Sequence, residues 1–184
     1  METRAARLFF GIRPDESALA SLIDAQRRLQ DYPWQGDVRW TPPGSNHLTL
    51  RFLGETPRRL IPEMTAFVSD RLEFPCGTFD VTGLMLFPNP KRPTVIAATI
   101  AENRLLEDLA KRLDNFMAHF GYKPEKRKFR PHITLGRCGK RFPRGVEIDA
   151  SVNVTVQYRE VILFESITRP EGAQYQDISR FPGS

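Results

Sequence analysis

Two short motifs in this chain each place a histidine and a threonine on one face of a predicted β-strand. The motifs read His-Leu-Thr-Leu from His47 and His-Ile-Thr-Leu from His132. Side chains alternate between the two faces of a strand, so His47 and Thr49 point the same way, and so do His132 and Thr134. Two such strands lying side by side would gather two imidazoles and two hydroxyls over one cleft.

This set of side chains suits the hydrolysis of a phosphodiester. A base must deprotonate the attacking water and an acid must protonate the leaving oxygen, and each transfer contributes roughly 10²- to 10⁴-fold to the rate. An imidazole, with an ordinary pKa of about 6.5, can serve in either role around neutral pH. The hydroxyls of Thr49 and Thr134 can bind non-bridging phosphate oxygens. Arg137 and Arg130 are the candidates for stabilising negative charge in the transition state.

The repetition of the motif is what favours a functional interpretation. A single His-x-Thr in a strand is common and usually reflects packing or a surface position. This chain contains only three histidines, and two of them fall in matching tetrapeptides. The third, His119, lies in a helical pattern beside Phe120, and we interpret it as structural.

The predicted elements also repeat, because each motif follows a strand and a helix. Leu8 lies 39 residues before His47, and Val95 lies 37 residues before His132. Alternating and 3.6-residue patterns predict the following strands and helices: strands at 7–12, 47–53, 78–87, 94–100, 132–135, 152–158, 160–167 and 174–180, and helices at 15–31, 57–72 and 102–120. We therefore expect a bilobal α+β fold. Its two lobes would be related by a pseudo-two-fold axis, each with an antiparallel sheet flanked by helices, and the active cleft would lie between them.

Length and composition indicate one globular domain over residues 1–184, with two internal repeats at roughly 7–90 and 91–184. The chain is 40% hydrophobic, which is enough to bury a sizeable core. No apolar run approaches the roughly 18 residues that a membrane span needs, so we expect a cytoplasmic protein with no membrane partner. Nothing in the sequence requires more than a monomer.

The sequence shows no metal-binding pattern. The two cysteines, Cys76 and Cys138, have no close Cys or His neighbours, and we interpret both as structural thiols. No His-x-Glu, His-Asp or clustered carboxylate motif accompanies His47 or His132, so a metal-dependent phosphodiesterase is the less favoured hypothesis. We predict an activity that needs no metal and survives a chelator.

Positive charge is concentrated just before the second motif. The formal net charge is only +5, which does not identify a polyanionic partner. However, the basic segment 123–130 leads directly into His132, and more basic residues follow the motif. The cationic positions are Lys123, Lys126, Arg127, Lys128, Arg130, Lys140, Arg141 and Arg144. They form either a solvated loop or a surface for a phosphate backbone.

The motifs resemble those of a known superfamily. The segments HLTLRFLGE (47–55), RPHITLGR (130–137) and RLFFGI (7–12) look like the two-histidine phosphoesterases. Within that superfamily, the chain is most similar to bacterial and archaeal RNA 2',3'-cyclic phosphodiesterases, historically called 2'-5' RNA ligases, over nearly its whole length. The resemblance implies a bilobal fold and hydrolysis of RNA 2',3'-cyclic phosphate ends to 2'-phosphomonoesters. The chain departs from the common pattern at 44–46, where Gly-Ser-Asn precedes the histidine.

The resemblance also implies roles for individual residues. His47 would be the proton donor to the leaving 3'-oxygen, and His132 the proton acceptor that activates water. Thr49, Thr134 and Arg137 match phosphate-contacting positions, with Arg130 a further candidate. Phe10 is similar to an aromatic residue that lines the cleft and stacks on the terminal base, the alternative being an ordinary core phenylalanine. The basic segment 123–130 would hold the RNA backbone.

Two other functions remain open from the sequence. A 2'-5' RNA ligase would join RNA halves, such as tRNA halves, that carry 2',3'-cyclic phosphate and 5'-hydroxyl ends. The chain has neither a Lys-x-Asp-Gly motif nor a phosphate-binding glycine loop, so ATP would be a cofactor only for such a ligase side activity. A non-catalytic module that binds RNA ends is the other alternative, although the presence of both His-Thr pairs argues against it. Among RNA partners, tRNA fragments and splicing intermediates carry the same cyclic phosphate.

Overall fold

The computed structural model describes residues 5–148, 150–169 and 172–184. This part of the chain contains three α-helices and nine strands. The strands are β1 (Ala5–Ile12), β2 (Val38–Trp40), β3 (Leu48–Pro57), β4 (Gly77–Phe87), β5 (Val95–Ile100), β6 (His132–Cys138), β7 (Val154–Tyr158), β8 (Glu160–Arg169) and β9 (Gly172–Pro182). The helices are α1 (Glu16–Leu29), α2 (Ile61–Arg71) and α3 (Arg104–Ala118). The predicted α+β class is confirmed.

The strands form a sheet with the order β7-β4-β5-β6-β3-β1-β8-β9, and β2 pairs with β6 beside this path. Every recorded pairing is antiparallel. At the centre, the ladder between β3 and β6 consists of the single pair Leu48 and Ile133. The sheet therefore has two halves, which meet at the two strands that carry the motifs.

The two halves exchange strands relative to the order of the sequence. β4, from the first part of the chain, pairs with β5, and β8, from the last part, pairs with β1. β4 also pairs with the next strand along the chain, β5, and β8 pairs with β9, as local antiparallel neighbours. Each half of the sheet consequently contains strands from both parts of the chain, with the repeated strands β1 and β5 in equivalent places beside β3 and β6.

The main hydrophobic core lies between the helices and one face of the sheet. It includes Leu48, Leu50, Ile133 and Leu135, which alternate with the polar residues of the two motifs. Helix residues that pack into the same core are Ala18, Leu22, Ala25, Leu29, Met64, Val68, Leu106, Leu109, Leu113 and Met117. Full burial of one such leucine contributes roughly 1.5–3 kcal/mol. Because the motif leucines and isoleucine occupy the helix-covered face, the histidines and threonines lie on the opposite face.

The helix ends follow the sequence signals at one helix and depart from them at another. The Asp15 carboxylate accepts hydrogen bonds from the backbone of Ser17 and Ala18 and caps α1, as an Asp at the start of a helix favours. Pro57, which we predicted in the first turn of the second helix, instead ends β3 by pairing with Ala5. The chain then makes a 3₁₀ turn at Arg58–Leu60, and α2 begins at Ile61. Extension of the β1–β3 ladder explains the difference.

No helix within the described ranges is long and apolar enough to cross a membrane.

His119 lies at the C-terminal end of α3, where its ring stacks on Phe67 with 4.8 Å between the ring centroids.

Candidate active site

A cleft with a volume of about 520 Å³ opens on the face of the sheet opposite the helices. Its walls include His47, Thr49, His132, Thr134 and Arg137. The fold thus brings together five of the residues that the sequence predicts for the site. The two motifs that contribute them begin 85 positions apart, at His47 and His132.

The register between the motif strands sets the arrangement of the histidines and threonines. Leu48 lies opposite Ile133 in an antiparallel ladder. The neighbouring positions therefore place His47 across from Thr134, and Thr49 across from His132. All four side chains line the cleft, so both imidazoles share it with the hydroxyls of the two motifs.

Both imidazoles are anchored in the same way. Nδ1 of His47 lies 2.9 Å from the carbonyl oxygen of Ser45, and Nδ1 of His132 lies 2.8 Å from that of Arg130. A carbonyl oxygen can only accept, so each Nδ1–H must donate. In the neutral ring this leaves Nε2 without a proton, free to accept one. The shared contact to the residue two positions earlier fixes the tautomer of both rings.

The surroundings of His47 favour its neutral form. Burial lowers its pKa to about 4, with a further lowering by the positive charges of Arg137 and Arg13, against the opposing hydrogen bond to Ser45. The ring packs against Phe9 and Tyr175, each with 4.6 Å between centroids. Without an anion in the cleft, His47 is therefore uncharged at neutral pH.

The ring of His132 is held from one side by an aromatic residue. It stacks on Phe87 with 4.5 Å between centroids and an interplanar angle of 20°. The guanidinium carbon of Arg130 lies 4.7 Å from the centroid of the same Phe87 ring. The side chain of Arg130 is outside the cleft lining but lies over a ring that belongs to it, and its contact with the phosphate stays a prediction. Its backbone carbonyl orients His132.

Matching β-bulges aim two further residues into the cleft. In β6 the extra residue is Leu135, between the pairs Thr134–Ala97 and Gly136–Ile96. In β3 the corresponding extra residue is Leu50, between the pairs Thr49–Gly11 and Arg51–Phe10. A bulge reverses the alternation of side chains beyond it.

The bulges bring the side chains five positions after each histidine, Phe52 and Arg137, to the cleft. In an unbroken strand, both would point away from it. Strand alternation alone therefore cannot predict the place of Arg137, which was chosen for its nearness to His132 in the sequence and for the resemblance.

The prediction for Phe10 is wrong by one position. Phe10 is fully buried in the main core, where its ring lies 6.0 Å from that of Phe181. The neighbouring phenylalanine of β1, Phe9, lines the cleft. Neighbouring residues of a strand face opposite sides, and two consecutive phenylalanines in RLFFGI do not reveal which one faces the site.

Sequence reasoning missed several residues on the two walls of the cleft. The first wall includes Arg7, Phe52 and Tyr175. Phe52 is 42% exposed, and the guanidinium carbon of Arg7 lies 4.7 Å from the centroid of the Phe52 ring. On the second wall, Arg39 and Trp40 come from the short strand β2. The exposed aromatic residue and the Val-Arg-Trp segment were visible in the sequence. Their place beside the motifs depends on long-range strand pairing.

The basic segment 123–130 is tied to the back of the sheet. Arg51 forms an ion pair of 2.7 Å with Asp114 of α3 and donates to the carbonyl oxygen of Lys123 at 2.7 Å. The backbone N–H of Glu125 donates to the carboxylate of Asp114, and Glu125 pairs with Arg127. The side chains of this segment lie outside the cleft lining. These contacts position the chain that leads into His132.

Among the residues that the structure describes, no three His, Cys, Asp or Glu side chains are grouped so as to hold a metal ion. Cys76 is an exposed free thiol, and burial raises the pKa of the Cys138 thiol to about 11.

Comparison with known proteins gives concordant results. The family model of LigT-like phosphoesterases matches residues 12–97 and 99–175. An RNA 2',3'-cyclic phosphodiesterase from Thermus thermophilus is 31% identical over 184 aligned residues, which cover 95% of this chain and 89% of that protein. A protein of the same name from Archaeoglobus fulgidus is 26% identical over 95% of this chain and 99% of its own length.

Solved structures share the fold. A Thermus thermophilus crystal structure superposes with a TM-score of 0.82 at 26% identity, covering 96% of this chain and 97% of that one. Escherichia coli LigT in complex with 3'-AMP superposes with a TM-score of 0.79 at 24% identity, covering 98% and 99% of the two chains.

Proposed function

The chain belongs to the LigT-like phosphoesterase family, and from this membership we infer that it hydrolyses RNA 2',3'-cyclic phosphate ends to 2'-phosphomonoesters. The observation that carries the inference is the central Leu48–Ile133 pair, which sets two anchored imidazoles on one face of the sheet. Two general acid–base groups on either side of one phosphate are what the hydrolysis of a cyclic phosphodiester requires.

Both rings keep Nε2 free for proton transfer, and the resemblance to the family assigns the acid to His47 and the base to His132. Nε2 of His132 accepts a proton from water, the water oxygen bonds to phosphorus, and the bond from phosphorus to the 3'-oxygen breaks. Nε2 of His47 donates the proton that the 3'-oxygen takes up. The products are a 2'-phosphomonoester and a 3'-hydroxyl, and proton exchange with solvent restores both rings.

A bound phosphate reconciles the role of His47 as acid with its low pKa in the unliganded protein. The anion would lie close to His47 and Arg137, where its charge would stabilise imidazolium against the burial and the neighbouring positive charges that lower the pKa of His47. His47 would then take up its proton as the substrate binds. The hydroxyls of Thr49 and Thr134 and the guanidinium of Arg137 would bind the non-bridging oxygens and the charge that develops on them.

The aromatic wall is our proposed site for the terminal nucleobase. Phe52 presents an exposed ring beside Phe9 and Tyr175, and base–aromatic stacking is worth roughly 1–3 kcal/mol per base without selecting one base. This wall takes the role that the sequence assigned to Phe10. We propose tRNA fragments with cyclic phosphate ends as one substrate class, with the basic segment 123–130 available to the RNA beyond the cleft.

One incubation separates this function from the alternatives. A short RNA with a 2',3'-cyclic phosphate end is mixed with the protein, with and without a chelator, an RNA with a 5'-hydroxyl, and ATP. We expect hydrolysis that persists in the chelator and does not depend on ATP. Joined RNA as the main product would support the ligase, loss of turnover in the chelator would oppose the metal-independent mechanism, and binding without any product would indicate a non-catalytic module.

A further inference from the structure

Arg39 and Arg137 lie directly opposite each other in the antiparallel ladder between β2 and β6. Both side chains are exposed, and both line the cleft. Side chains at opposed positions have Cβ atoms about 4.5–5.5 Å apart, and like charges placed there destabilise a sheet. The cleft therefore contains two like-charged side chains that start from opposed positions, and their repulsion disfavours this arrangement in the unliganded protein.

The repulsion is not relieved by carboxylates within the described ranges. The ion pairs recorded there involve other arginines, and neither Arg39 nor Arg137 takes part. The nearest acidic residue in sequence, Asp37, pairs with Arg141 at 3.2 Å. Solvent screens the two exposed guanidinium groups in the unliganded protein, and an anionic ligand would compensate both charges more fully.

Strand β2 is firmly held, so the position of Arg39 is defined. The backbone N–H of Gly139 donates to the carbonyl oxygen of Asp37 at 2.7 Å, and that of Thr41 donates to Leu135 at 2.8 Å. A side chain on Gly136, opposite Trp40, would overlap Val38, which shows how closely the two strands approach. Arg39 therefore projects from a strand fixed at both ends.

One cyclic phosphate does not account for both arginines. It carries a single negative charge and two non-bridging oxygens, and Arg137, Thr49 and Thr134 already supply enough donors for them. The cleft, at about 520 Å³, is also large enough for more than the reacting group. Arg39 thus adds a positive charge that the proposed reaction leaves without a partner.

We propose that Arg39 forms a second phosphate subsite, which binds the phosphodiester on the 5' side of the terminal nucleotide. The inference rests on the proposed function, because it takes the reacting cyclic phosphate to lie at the histidines. The next phosphate of an RNA strand lies one ribose away, and Arg39 lies across the ladder from Arg137, next to the proposed position of the reacting phosphate. The subsite makes an RNA end a better ligand than an isolated nucleotide.

The test measures binding and does not depend on turnover. Calorimetry compares three product-like ligands: adenosine 2'-monophosphate, adenosine 2',5'-bisphosphate, and an adenylyl-(3'→5')-adenosine dinucleotide with a terminal 2'-phosphate. They are bound to the wild-type protein, to Arg39→Gln, and to Arg59→Gln. Arg59 is an exposed arginine outside the cleft lining, so its substitution is a matched loss of one charge.

We expect the wild type and Arg59→Gln to bind the dinucleotide about tenfold more tightly than the monophosphate, as for one hydrogen bond to a charged group. Arg39→Gln should lose that gain and keep its affinity for the monophosphate within about threefold. The inference is overturned if the gain is absent in the wild type, if it survives in Arg39→Gln, or if both ligands weaken equally. A gain for the bisphosphate alone would also overturn it, because the subsite would then take a terminal monophosphate.

Hydrolysis of a 2',3'-cyclic phosphate RNA by the same wild-type preparation is measured separately. A lack of hydrolysis combined with binding that depends on Arg39 would refute the proposed function and leave the subsite intact. Normal hydrolysis with no effect of Arg39→Gln on binding would refute the subsite and leave the proposed function intact.

Discussion

Leu48 and Ile133 are paired across the centre of the sheet, and each directly follows a motif histidine. Their side chains belong to the main core, where burial fixes the register of the two strands. A slip of one residue would turn the imidazoles and hydroxyls into the core. The packing of two apolar side chains therefore determines the geometry of the polar site on the other face.

Replacement of Thr49 or Thr134 by valine should lower kcat/KM by roughly 10- to 100-fold, because each hydroxyl is proposed to donate to an anionic phosphate oxygen. Valine preserves the shape of the side chain, so the melting temperature should change little. The measurement is hydrolysis of a cyclic-phosphate RNA, with the exposed Thr82→Val on β4 as the matched control. Rates within threefold of wild type for both variants would remove the threonines from the phosphate site.

Stability should depend on the protonation of His47. Its pKa of about 4 in the folded protein lies below the value of about 6.5 expected when unfolded, so the unfolded chain binds a proton that the native protein does not. The contribution of neutral His47 to the free energy of unfolding is fully present above about pH 6.5 and is lost as the pH falls towards 4. Between about pH 7 and pH 5 the loss should be roughly 2 kcal/mol.

Urea unfolding at the two pH values, compared between the wild type and His47→Gln, measures this effect. The variant should lose less stability than the wild type on acidification. Sulfate, an anion whose charge does not change in this range, should raise the pKa of His47 as seen by NMR. Equal pH dependence of the two proteins, or a His47 pKa near 6.5 without sulfate, would contradict the assignment.

Phe52→Ala should weaken the use of nucleotide substrates through KM more than through kcat, since the ring is proposed to stack on the base and not to contact the reacting atoms. A loss of roughly 1–3 kcal/mol per stacked base corresponds to about 5- to 150-fold in kcat/KM. Phe52→Tyr should restore most of the activity. Leu105→Ala is the control, because Leu105 is 50% exposed on α3, outside the cleft lining. An unchanged KM for Phe52→Ala would place the base elsewhere.

Asn46→Ala should destabilise the protein and disturb the site together. Asn46 is 1% exposed, and its side-chain amide donates to the carbonyl oxygen of Thr134 at 3.2 Å, which links the start of the first motif to the second. Loss of a buried hydrogen bond costs roughly 1–3 kcal/mol. The free energy of unfolding, measured with denaturant, and kcat should both fall for this variant. A stable variant with reduced kcat would give Asn46 a purely local role, and a variant unchanged in both would show that the link is dispensable.

Much of the fold and half of the site follow from local patterns, and the remainder depends on long-range pairing. Alternation correctly placed Thr49 with His47 because the bulge at Leu50 comes after them. It could not place Arg137, which lies beyond the bulge at Leu135. Arg39 reaches the cleft only because β2 pairs with β6, about a hundred positions later in the chain. Neither the bulge at Leu135 nor the pairing of β2 with β6 leaves a periodic signal in the sequence.

The exchange of β4 and β8 between the halves of the sheet is another feature that the repeat did not reveal. A repeated strand-helix-strand order predicts equivalent units, but it does not state which edge each later strand will pair with. That choice is made by the short turn after Phe87 and by the pairing of β8 with β1. The assignment of Phe10 failed for the related reason that only tertiary packing distinguishes it from Phe9.

The most direct test of the account is single-turnover hydrolysis of an RNA ending in a 2',3'-cyclic phosphate by the wild type, His47→Ala and His132→Ala, with the product phosphate located on the ribose. We predict a 2'-phosphomonoester from the wild type and a rate at least roughly 10²-fold lower for each folded variant, since each imidazole performs one proton transfer. A 3'-phosphomonoester from the wild type, or a near-wild-type rate in either variant, would contradict the paired acid–base mechanism.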